Sequence, residues 1–521
     1  MITSEGMGSA VTVSRGASYL TFQTIITTVG QVLAFAILAR IITPGEVGIL
    51  AILSLITSLA QSINGAAFQQ ASMKYVGEHA GNNNDLASGV FYQTLRLSLI
   101  ISVPMAVFIF LGSGLLARVL LGSTSLAGLF RVLAVDVLVF SGALPVAIGT
   151  VLGAKRFKAA AAIGTGGALL RYSLIILLIL FLRNLVGLVY GWVLSDFAML
   201  TVYGGYAVRV LGPPKNLFPL RRLLSFSWPL SIGNIVNFAY GWFDRAILIV
   251  FVPLASLGVY SAALTAYTAL VGVSTAFGNA LLPVYSNIGG RGVLEDCRRA
   301  TRVSSRYVSL IIVPLAFGLL ATAKPALTVF VGEAYVGGAV PLMIFSLALA
   351  LTGFGLVLGT MLTALAKTRA IMWITVASVV LGLVSAYVLL PFMGIIGASV
   401  ARGLATVATL ILTIFALKHF GAMSVDVEMA WKSFLASAVM AAVLLAVQLV
   451  DYSVLLLPAY VVIGAVVYLI LLRVLNAVRN HDIELIERYL GARLKFVARL
   501  LGFILLHSSS PPKLGDAPTK N

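Results

Sequence analysis

The stretch SFSWPLSIGNIVNFAYGWFDRAILIVFV, Ser225–Val252, is a long apolar run that carries one charged pair, Asp244 and Arg245. A second apolar run follows at Pro253–Pro283, and a basic segment, Tyr285–Tyr307, comes after it. Each run exceeds the roughly 20 residues that an α-helix needs to cross a bilayer. The stretch therefore predicts a transmembrane hairpin with a cationic loop at its base. Ionisable groups inside a membrane helix are costly and mark functional positions by default.

The hairpin has a counterpart earlier in the chain. Gly48 and Tyr75 are 27 residues apart, as are Gly258 and Tyr285, and the two pairs are offset by 210 positions. In both copies an aliphatic helix precedes a proline-containing turn, and a second apolar helix leads to the tyrosine. This pattern predicts an internal repeat, with two halves of parallel topology related by an axis along the membrane normal.

The composition is that of a polytopic membrane protein, with 60% apolar residues, 10% charged residues and a mean hydropathy of +1.05. Cys297 is the only cysteine, which excludes disulfide frameworks within the chain and multi-cysteine metal sites. The net charge of +18 lies mainly in the joints between apolar runs, so we expect no nucleic-acid partner. No Walker A, HExxH or GxSxG motif is present, and we expect a protein that is not an enzyme and holds no cofactor.

Hydropathy predicts an all-α fold of about fourteen membrane helices, the first being a retained signal-anchor. We place them near 17–39, 47–72, 86–112, 126–152, 159–182, 185–208, 223–251, 254–283, 306–330, 340–366, 370–391, 394–417, 431–450 and 455–472. The predicted divisions are an N-terminal lobe (1–210), a C-terminal lobe (211–420), two extra helices (421–475), a cytoplasmic amphipathic helix (476–505) and a disordered tail (506–521).

Lysine and arginine predict the orientation, because cytoplasmic loops carry the excess of positive charge. With the N-terminus inside, nearly all cationic loop residues lie in the cytoplasm. Only four lie outside: Arg40, Arg118, Arg183 and Lys324. We therefore expect a multi-pass plasma-membrane protein with both termini cytoplasmic.

Five arginines fall within the predicted helices, where each costs roughly 2.5–3.5 kcal/mol at mid-depth. They are Arg96, Arg131, Arg171, Arg245 and Arg402, and the candidate partners inside the membrane are Asp136, Asp196 and Asp244. Two interpretations stay open for them. These groups could form buried ion pairs that join helices, or they could line a water-filled, net cationic cavity that binds a phosphate or pyrophosphate.

Arg131, closest to a helix end, fits snorkelling best, whereas Arg96 and Arg171 lie deepest and favour a functional role. Adjacent residues on a helix point about 100° apart, so Asp244 does not simply neutralise Arg245.

The chain resembles the polysaccharide and oligosaccharide flippases of the multidrug/oligosaccharidyl-lipid/polysaccharide (MOP) exporter superfamily. The order and spacing of several short motifs over residues 15–420 carry this resemblance. They are Ala39–Gly48, Asp244-Arg245, Leu257–Tyr260, Pro283–Tyr285, Val331–Tyr335, Leu365–Lys367 and Gly394–Ala398. One departure concerns helix one, because lipid II flippases of this superfamily carry early arginines there and this chain has none between Gly16 and Ala39.

The resemblance implies two six-helix lobes around a cavity that move a polyprenyl-linked glycan to the outer leaflet by alternating access. The five arginines would then bind the (pyro)phosphate, and Asp136, Asp196 or Asp244 would serve as ion pairs or couple transport to a proton or sodium gradient. We expect a monomer whose partners are the lipid-linked oligosaccharide and membrane lipids. The competing function is a multidrug or organic-cation antiporter, which should line its cavity with carboxylates and aromatic residues rather than arginines.

Overall fold

The computed structural model describes residues 4–182, 184–214 and 216–478, and within these ranges the regular structure is helical throughout. The α-helices α1 to α17 are Ser4–Ile41, Pro44–Ala60, Ala66–His79, Asn84–Leu111, Ser113–Leu121, Ala127–Val137, Leu144–Gly153, Phe157–Leu182, Leu185–Leu211, Leu220–Phe251, Leu254–Gly290, Leu294–Ala321, Ala323–Val331, Ala339–Ala364, Thr368–His419, Val427–Val450 and Leu457–Val474. Arg183, the predicted amphipathic helix from Arg479 onward and the predicted tail lie outside the described residues.

The prediction of an all-α membrane fold is confirmed. Twelve segments of the described chain are long and apolar enough to span a bilayer. One of them, Thr368–His419, has 52 residues and breaks at Gly394, whose φ of 52° and ψ of −129° are not helical, so it supplies two spans. The 32-residue helix Leu220–Phe251, which contains Asp244 and Arg245, is also long enough to span a bilayer. The count is thus consistent with the predicted fourteen.

Two spans contain a widened turn. π-Helical segments at Gln61–Gly65 and Leu138–Ala143 connect α2 to α3 and α6 to α7 without interrupting either span. Each inserts an extra residue into the helical ladder and reorients the side chains next to it, which is why such bulges recur at functional sites. Leu138–Ala143 begins two residues after Asp136.

The basic segment predicted as a loop at Tyr285–Tyr307 is instead almost entirely helical. Helix α11 continues to Gly290 and α12 begins at Leu294, so only a short turn separates them. Gly292 makes the turn with a φ of 70°, a conformation that glycine adopts without strain. Because charged side chains remain solvated beyond the hydrocarbon layer, these helices extend past the membrane, and the predicted ninth helix starts twelve residues early.

The predicted repeat has a physical counterpart at the start of α2 and α11. A methyl group at Gly48 would lie 2.0 Å from the Leu254 carbonyl oxygen, and one at Gly258 would lie 1.8 Å from the Pro44 carbonyl oxygen. Pro44 and Leu254 are 210 positions apart, and so are Gly48 and Gly258. Each copy of the pattern therefore places its glycine against the equivalent carbonyl group of the other copy. The approach is closer than any side chain permits, which explains the glycine in both copies.

The contacts divide the chain into two compact units. The first comprises the described residues of Met1–Gly272, Leu327–Phe345 and Lys367–Leu412. One of its hydrophobic cores packs Phe68, Tyr75 and Tyr203 among aliphatic side chains of the second, third, fourth and sixth spans.

The second unit comprises the described residues of Val273–Ala326, Ser346–Ala366 and Thr413–Asn521. Its core joins α12, α16 and α17 around Met440, Tyr460 and Tyr468. Ser433 strengthens it by donating a hydrogen bond to the Ser309 carbonyl oxygen at 2.5 Å, and it lies 2.9 Å from the Tyr468 hydroxyl.

Candidate functional site

The first group of buried ionisable residues joins the fourth, fifth and sixth spans in the first unit. We call Asp136, Arg171 and Asp196 the acidic cluster. Arg171 Nη1 donates to both carboxylate oxygens of Asp196, at 3.1 and 3.2 Å. Asp136 lies beside Asp196 and interacts with the same guanidinium. Each aspartate is only 1% exposed and the Arg171 side chain is 25% exposed, so one partly exposed guanidinium faces two buried carboxylates.

Asp136 differs from Asp196 in its hydrogen bonding. Within the described chain, neither carboxylate oxygen of Asp136 accepts a hydrogen bond. Two ionised carboxylates have no proton to form one, whereas a single added proton would supply the missing bond to Asp196. A buried oxygen without a donor is costly, so Asp136 is the least stabilised carboxylate of this cluster.

Aromatic side chains hold Arg171 in place. Its guanidinium carbon is 5.6 Å from the Phe140 ring centre and 5.4 Å from that of Trp192. Phe140 belongs to the π-helical segment Leu138–Ala143, and Trp192 is one helical turn before Asp196. The widened turn thus directs Phe140 towards the guanidinium, in the geometry of a cation–π contact.

The second group lies on α10, α11 and α15 of the same unit. We call Asp244, Arg245, Tyr260 and Arg402 the cationic cluster. Asp244 is fully buried and accepts hydrogen bonds from Arg402 Nε at 2.5 Å and Arg402 Nη2 at 2.7 Å. The Tyr260 hydroxyl donates to the same carboxylate. Asp244 is therefore paired with an arginine 158 positions later, not with its neighbour in sequence.

Arg245 is held separately. Its guanidinium carbon lies 3.4 Å from the Trp242 ring centre, and its Nη2 donates to the Gly241 carbonyl oxygen at 3.0 Å. Its Nε is buried and makes no hydrogen bond to the described residues. Two guanidinium groups around one carboxylate give this cluster a net positive charge, and Arg245 retains an unused donor. A phosphate oxygen is a suitable acceptor for such a donor.

The remaining two candidate arginines lie outside both clusters. Arg96 is exposed and lines an open cavity of about 610 Å³ together with apolar side chains of its own helix, among them Tyr92 and Leu99. Arg131 is also exposed, and its Nε donates to the Ser113 hydroxyl at 3.3 Å. Four of the eight candidate arginines and aspartates therefore form ion pairs with one another: Arg171 with Asp196, and Arg402 with Asp244.

Two further polar contacts connect helices of the described chain. Asn64, in the first π-helical segment, donates to the Ser98 carbonyl oxygen at 3.0 Å and the Ser141 carbonyl oxygen at 2.9 Å, which links three spans. Arg306 pairs with Asp426 at 3.2 Å in the second unit. Sequence reasoning missed the second pair because it placed Arg306 in a solvated loop.

The comparison with protein families agrees with this architecture. Residues 37–341, more than half of the chain, match the family model described as polysaccharide biosynthesis protein. The chain belongs to the polysaccharide biosynthesis protein family. The resemblance to polysaccharide flippases of the MOP superfamily is thereby confirmed at the level of the family.

Two curated relatives of this polysaccharide biosynthesis protein are 26% identical to it. One is the probable low-salt glycan biosynthesis flippase Agl15 of Haloferax volcanii, matched over 43% of the chain and 48% of the relative. The other is the succinoglycan biosynthesis transport protein ExoT of Rhizobium meliloti, matched over 57% of the chain and 58% of the relative. The chain thus spans about half the length of the curated relatives it matches.

Solved structures show the same fold. The lipid II flippase MurJ in an inward closed conformation superposes with a TM-score of 0.67 at 15% identity, covering 88% of this chain and 97% of MurJ. An inward-facing multidrug resistance MATE family transporter of the MOP superfamily gives 0.62 at 15% identity, covering 82% and 98%. At this identity the likeness concerns architecture alone.

Proposed function

We propose that this polysaccharide biosynthesis protein is a flippase, not an enzyme, that moves a polyprenyl (pyro)phosphate-linked oligosaccharide from the cytoplasmic to the outer leaflet. The observation that carries the proposal is family membership, with one relative named as a glycan biosynthesis flippase and another as a succinoglycan transport protein. The MurJ-like fold supports alternating access as the mechanism.

The cationic cluster supports a phosphate-bearing substrate. Hydrocarbon opposes the crossing of a charged headgroup, so a carrier must supply compensating charge along the way. Arg245 has an unused buried donor and belongs to a cluster with net positive charge, whereas Arg402 is committed to Asp244. We therefore assign phosphate binding first to Arg245, then to the exposed Arg96, with Arg131 as a weaker candidate. Arg171 and Arg402 bind phosphate only if their carboxylate partners release them.

The function is tested in proteoliposomes that contain a fluorescent polyprenyl-diphosphate oligosaccharide, with translocation read from chemical quenching at the outer leaflet. We expect Arg245→Ala to reduce the rate at least tenfold, since one charge-assisted hydrogen bond is worth about 1.5–3 kcal/mol. Arg118→Ala is the matched control, because Arg118 is an exposed arginine of α5 outside both clusters. The proposal would be refuted if the wild-type protein translocated none of several polyprenyl-diphosphate oligosaccharides that differ in their glycan.

An organic-cation antiporter remains the competing function, since a MATE transporter shares the fold. Its substrate would be repelled by Arg245 and Arg402, whose charge exceeds that of Asp244. Binding of small organic cations, without binding of polyprenyl-phosphate glycans, would establish the antiporter instead.

We also propose that Asp136 couples transport to a proton gradient. From the sequence, Asp136, Asp196 and Asp244 were equal candidates for the coupling residue. The driving gradient was either a proton or a sodium gradient. Asp244 is surrounded by donors and held as a carboxylate, whereas Asp136 has no donor and shares a single guanidinium with Asp196. A proton on Asp136 neutralises the excess buried charge and completes a hydrogen bond to Asp196.

Infrared spectroscopy of the protein in nanodiscs tests this directly. We expect a carboxylic acid C=O band near neutral pH that disappears in Asp136→Asn but persists in Asp451→Asn, a control at an exposed position. In proteoliposomes, Asp136→Asn should flip lipid without responding to an imposed proton gradient, and an imposed sodium gradient should have no effect on either protein. A proton response that survives Asp136→Asn would refute this role without affecting the flippase assignment.

We further propose that the protein acts as a monomer in the cell membrane with both termini cytoplasmic, as its cationic loops predict. Cys297 is buried, so its replacement by serine gives a quiet background for single cysteines at Ser123 and Asn287. An impermeant thiol reagent on intact cells should label Ser123→Cys and not Asn287→Cys. The reverse labelling would invert the topology.

A further inference from the structure

A cavity of about 450 Å³ lies in the second unit, where helix α15 ends and helix α12 begins. We call it the basic cavity. Its charged lining consists of one carboxylate and four cations: Glu295, Arg298, Arg299, Arg302 and Lys418. None of these residues belongs to the acidic or the cationic cluster, and the proposed transport mechanism makes no use of them.

Hydrogen bonds fix the wall of this cavity. Arg298 Nε donates to the Gly421 carbonyl oxygen at 2.7 Å, and Gly421 has a φ of 70° that turns the chain after α15. One turn later, the Thr301 hydroxyl donates to the Ala422 carbonyl oxygen and accepts from the Ser424 amide, each at 3.3 Å. The connector after α15 is therefore clamped against α12, and the cations on the two segments face a common space.

Among the described residues, one carboxylate lines the cavity against four cations. Glu295 lies 3.6 Å from Arg298 and is largely exposed. Arg299, Arg302 and Lys418 make no ion pair with any carboxylate in the described part of the chain. Arg306, one turn further along α12, does find a partner in Asp426. A concave site with three unpaired cations concentrates anions and is suited to the several oxygens of a phosphate group.

The position of the cavity points to a lipid rather than a soluble anion. Helix α12 has 28 residues and is about 42 Å long, which exceeds the roughly 30 Å of hydrocarbon, so its first turns reach the headgroup layer. Leu294, Val303 and Phe415 are exposed apolar side chains on the same two helices, at 47%, 45% and 63%. An anion with an acyl or prenyl tail would satisfy both the cations and these apolar surfaces.

We propose that the basic cavity binds the phosphate headgroup of an anionic membrane lipid. The shared chemistry is a phosphate ester on a hydrophobic tail, and its source is either a bilayer phospholipid or a prenyl phosphate. Arg299, Arg302 and Lys418 neutralise the phosphate, Arg298 shapes the wall, and the tail lies along α12 and α15. The site is separate from the proposed transport clusters and does not depend on which glycan is moved.

The test is native mass spectrometry of the full-length protein with dioleoyl phosphatidylglycerol, undecaprenyl phosphate, dioleoyl phosphatidylcholine and inorganic diphosphate, each added separately. The site variant replaces the three unpaired cations: Arg299→Gln, Arg302→Gln and Lys418→Gln. The control variant removes the same charge from exposed positions of the first unit: Lys158→Gln, Arg209→Gln and Arg221→Gln.

We expect the two anionic lipids to bind the wild-type protein and the control variant alike. The site variant should bind them about a hundredfold more weakly, because each basic residue near an anionic surface adds roughly fivefold. If the wild-type protein binds only one of the two anionic lipids, that lipid identifies the source of the phosphate headgroup. An equal loss in both variants would show general surface attraction and overturn the site, as would equal binding of phosphatidylcholine. Binding of inorganic diphosphate to the wild-type protein as tightly as the anionic lipids, and its loss in the site variant, would assign a soluble anion and overturn the lipid part.

Because binding is measured without transport, the result is independent of the proposed flippase activity. Thermal unfolding of both variants guards against a folding defect. If the site variant unfolds, Lys418→Gln alone should still weaken lipid binding several-fold, since Lys418 makes no ion pair within the described chain. Unchanged binding in that single variant would also count against the site.

Discussion

Replacement of Arg402 by alanine should be among the most destabilising single changes in the membrane-spanning part of the protein. Asp244 is fully buried, and Arg402 supplies two of its hydrogen bonds together with the opposite charge. After the change, Asp244 would retain the Tyr260 hydroxyl and the Arg245 backbone amide, at 2.8 Å for the latter. These donors satisfy its oxygens only in part and carry no net charge.

The magnitude follows from the cost of an unpaired buried charge. Removal of one partner from a buried pair costs about 3–5 kcal/mol, and the neighbouring Arg245 places the expected loss near the lower end. We therefore expect Arg402→Ala to lower the free energy of unfolding by about 3 kcal/mol. The double variant Asp244→Ala/Arg402→Ala should be less destabilised than Arg402→Ala alone, because it leaves no buried charge without a partner.

The assay is reversible unfolding in mixed micelles of a mild detergent and sodium dodecyl sulfate, followed by tryptophan fluorescence. Lys74→Ala is the control, because both members of the Lys74–Glu78 pair at 4.0 Å are exposed, at 43% and 39%. An exposed pair of this kind contributes at most about 1 kcal/mol. A loss for Arg402→Ala no larger than for the control would refute the reasoning, and so would a double variant that is less stable than either single variant.

Three further changes test the packing of the spans in the same unfolding assay. Gly258→Ala should prevent native packing, because its methyl group would meet the Pro44 carbonyl oxygen. Gly114→Ala is the control, since a methyl group there enters open space and should change stability by less than about 0.5 kcal/mol. Equal effects of the two changes would contradict the close approach at Gly258. Asn64→Ala should cost about 1–3 kcal/mol by leaving buried acceptors on two neighbouring spans unsatisfied, and a neutral result would argue against this link. Ser433→Ala should cost about 1 kcal/mol, because it removes the hydrogen bond to the Ser309 carbonyl oxygen, and a neutral result would argue against that bond.

The membrane fold could be read from the sequence because its signal is local. A run of apolar residues is stable as a spanning helix whatever its neighbours are, since the backbone must satisfy its own hydrogen bonds in hydrocarbon. The 210-position offset of Gly48 and Gly258 could also be read from the sequence, and the structure places these two glycines in one reciprocal contact. The start of helix α12 could not be read from the sequence. Hydropathy locates the part of a helix that lies in hydrocarbon, but not the point where the helix ends outside it.

The sequence by itself determined that several arginines and aspartates lie inside the membrane, and that this is costly enough to require compensation. Only the tertiary structure decided how each is compensated. Asp244 pairs with Arg402, 158 positions away, while its neighbour Arg245 packs on Trp242. Asp136 is the same residue type in a similarly apolar stretch, yet it accepts no hydrogen bond within the described chain. The reason is physical: the cost of burying a charge is a property of one residue, whereas its compensation depends on which helices pack together.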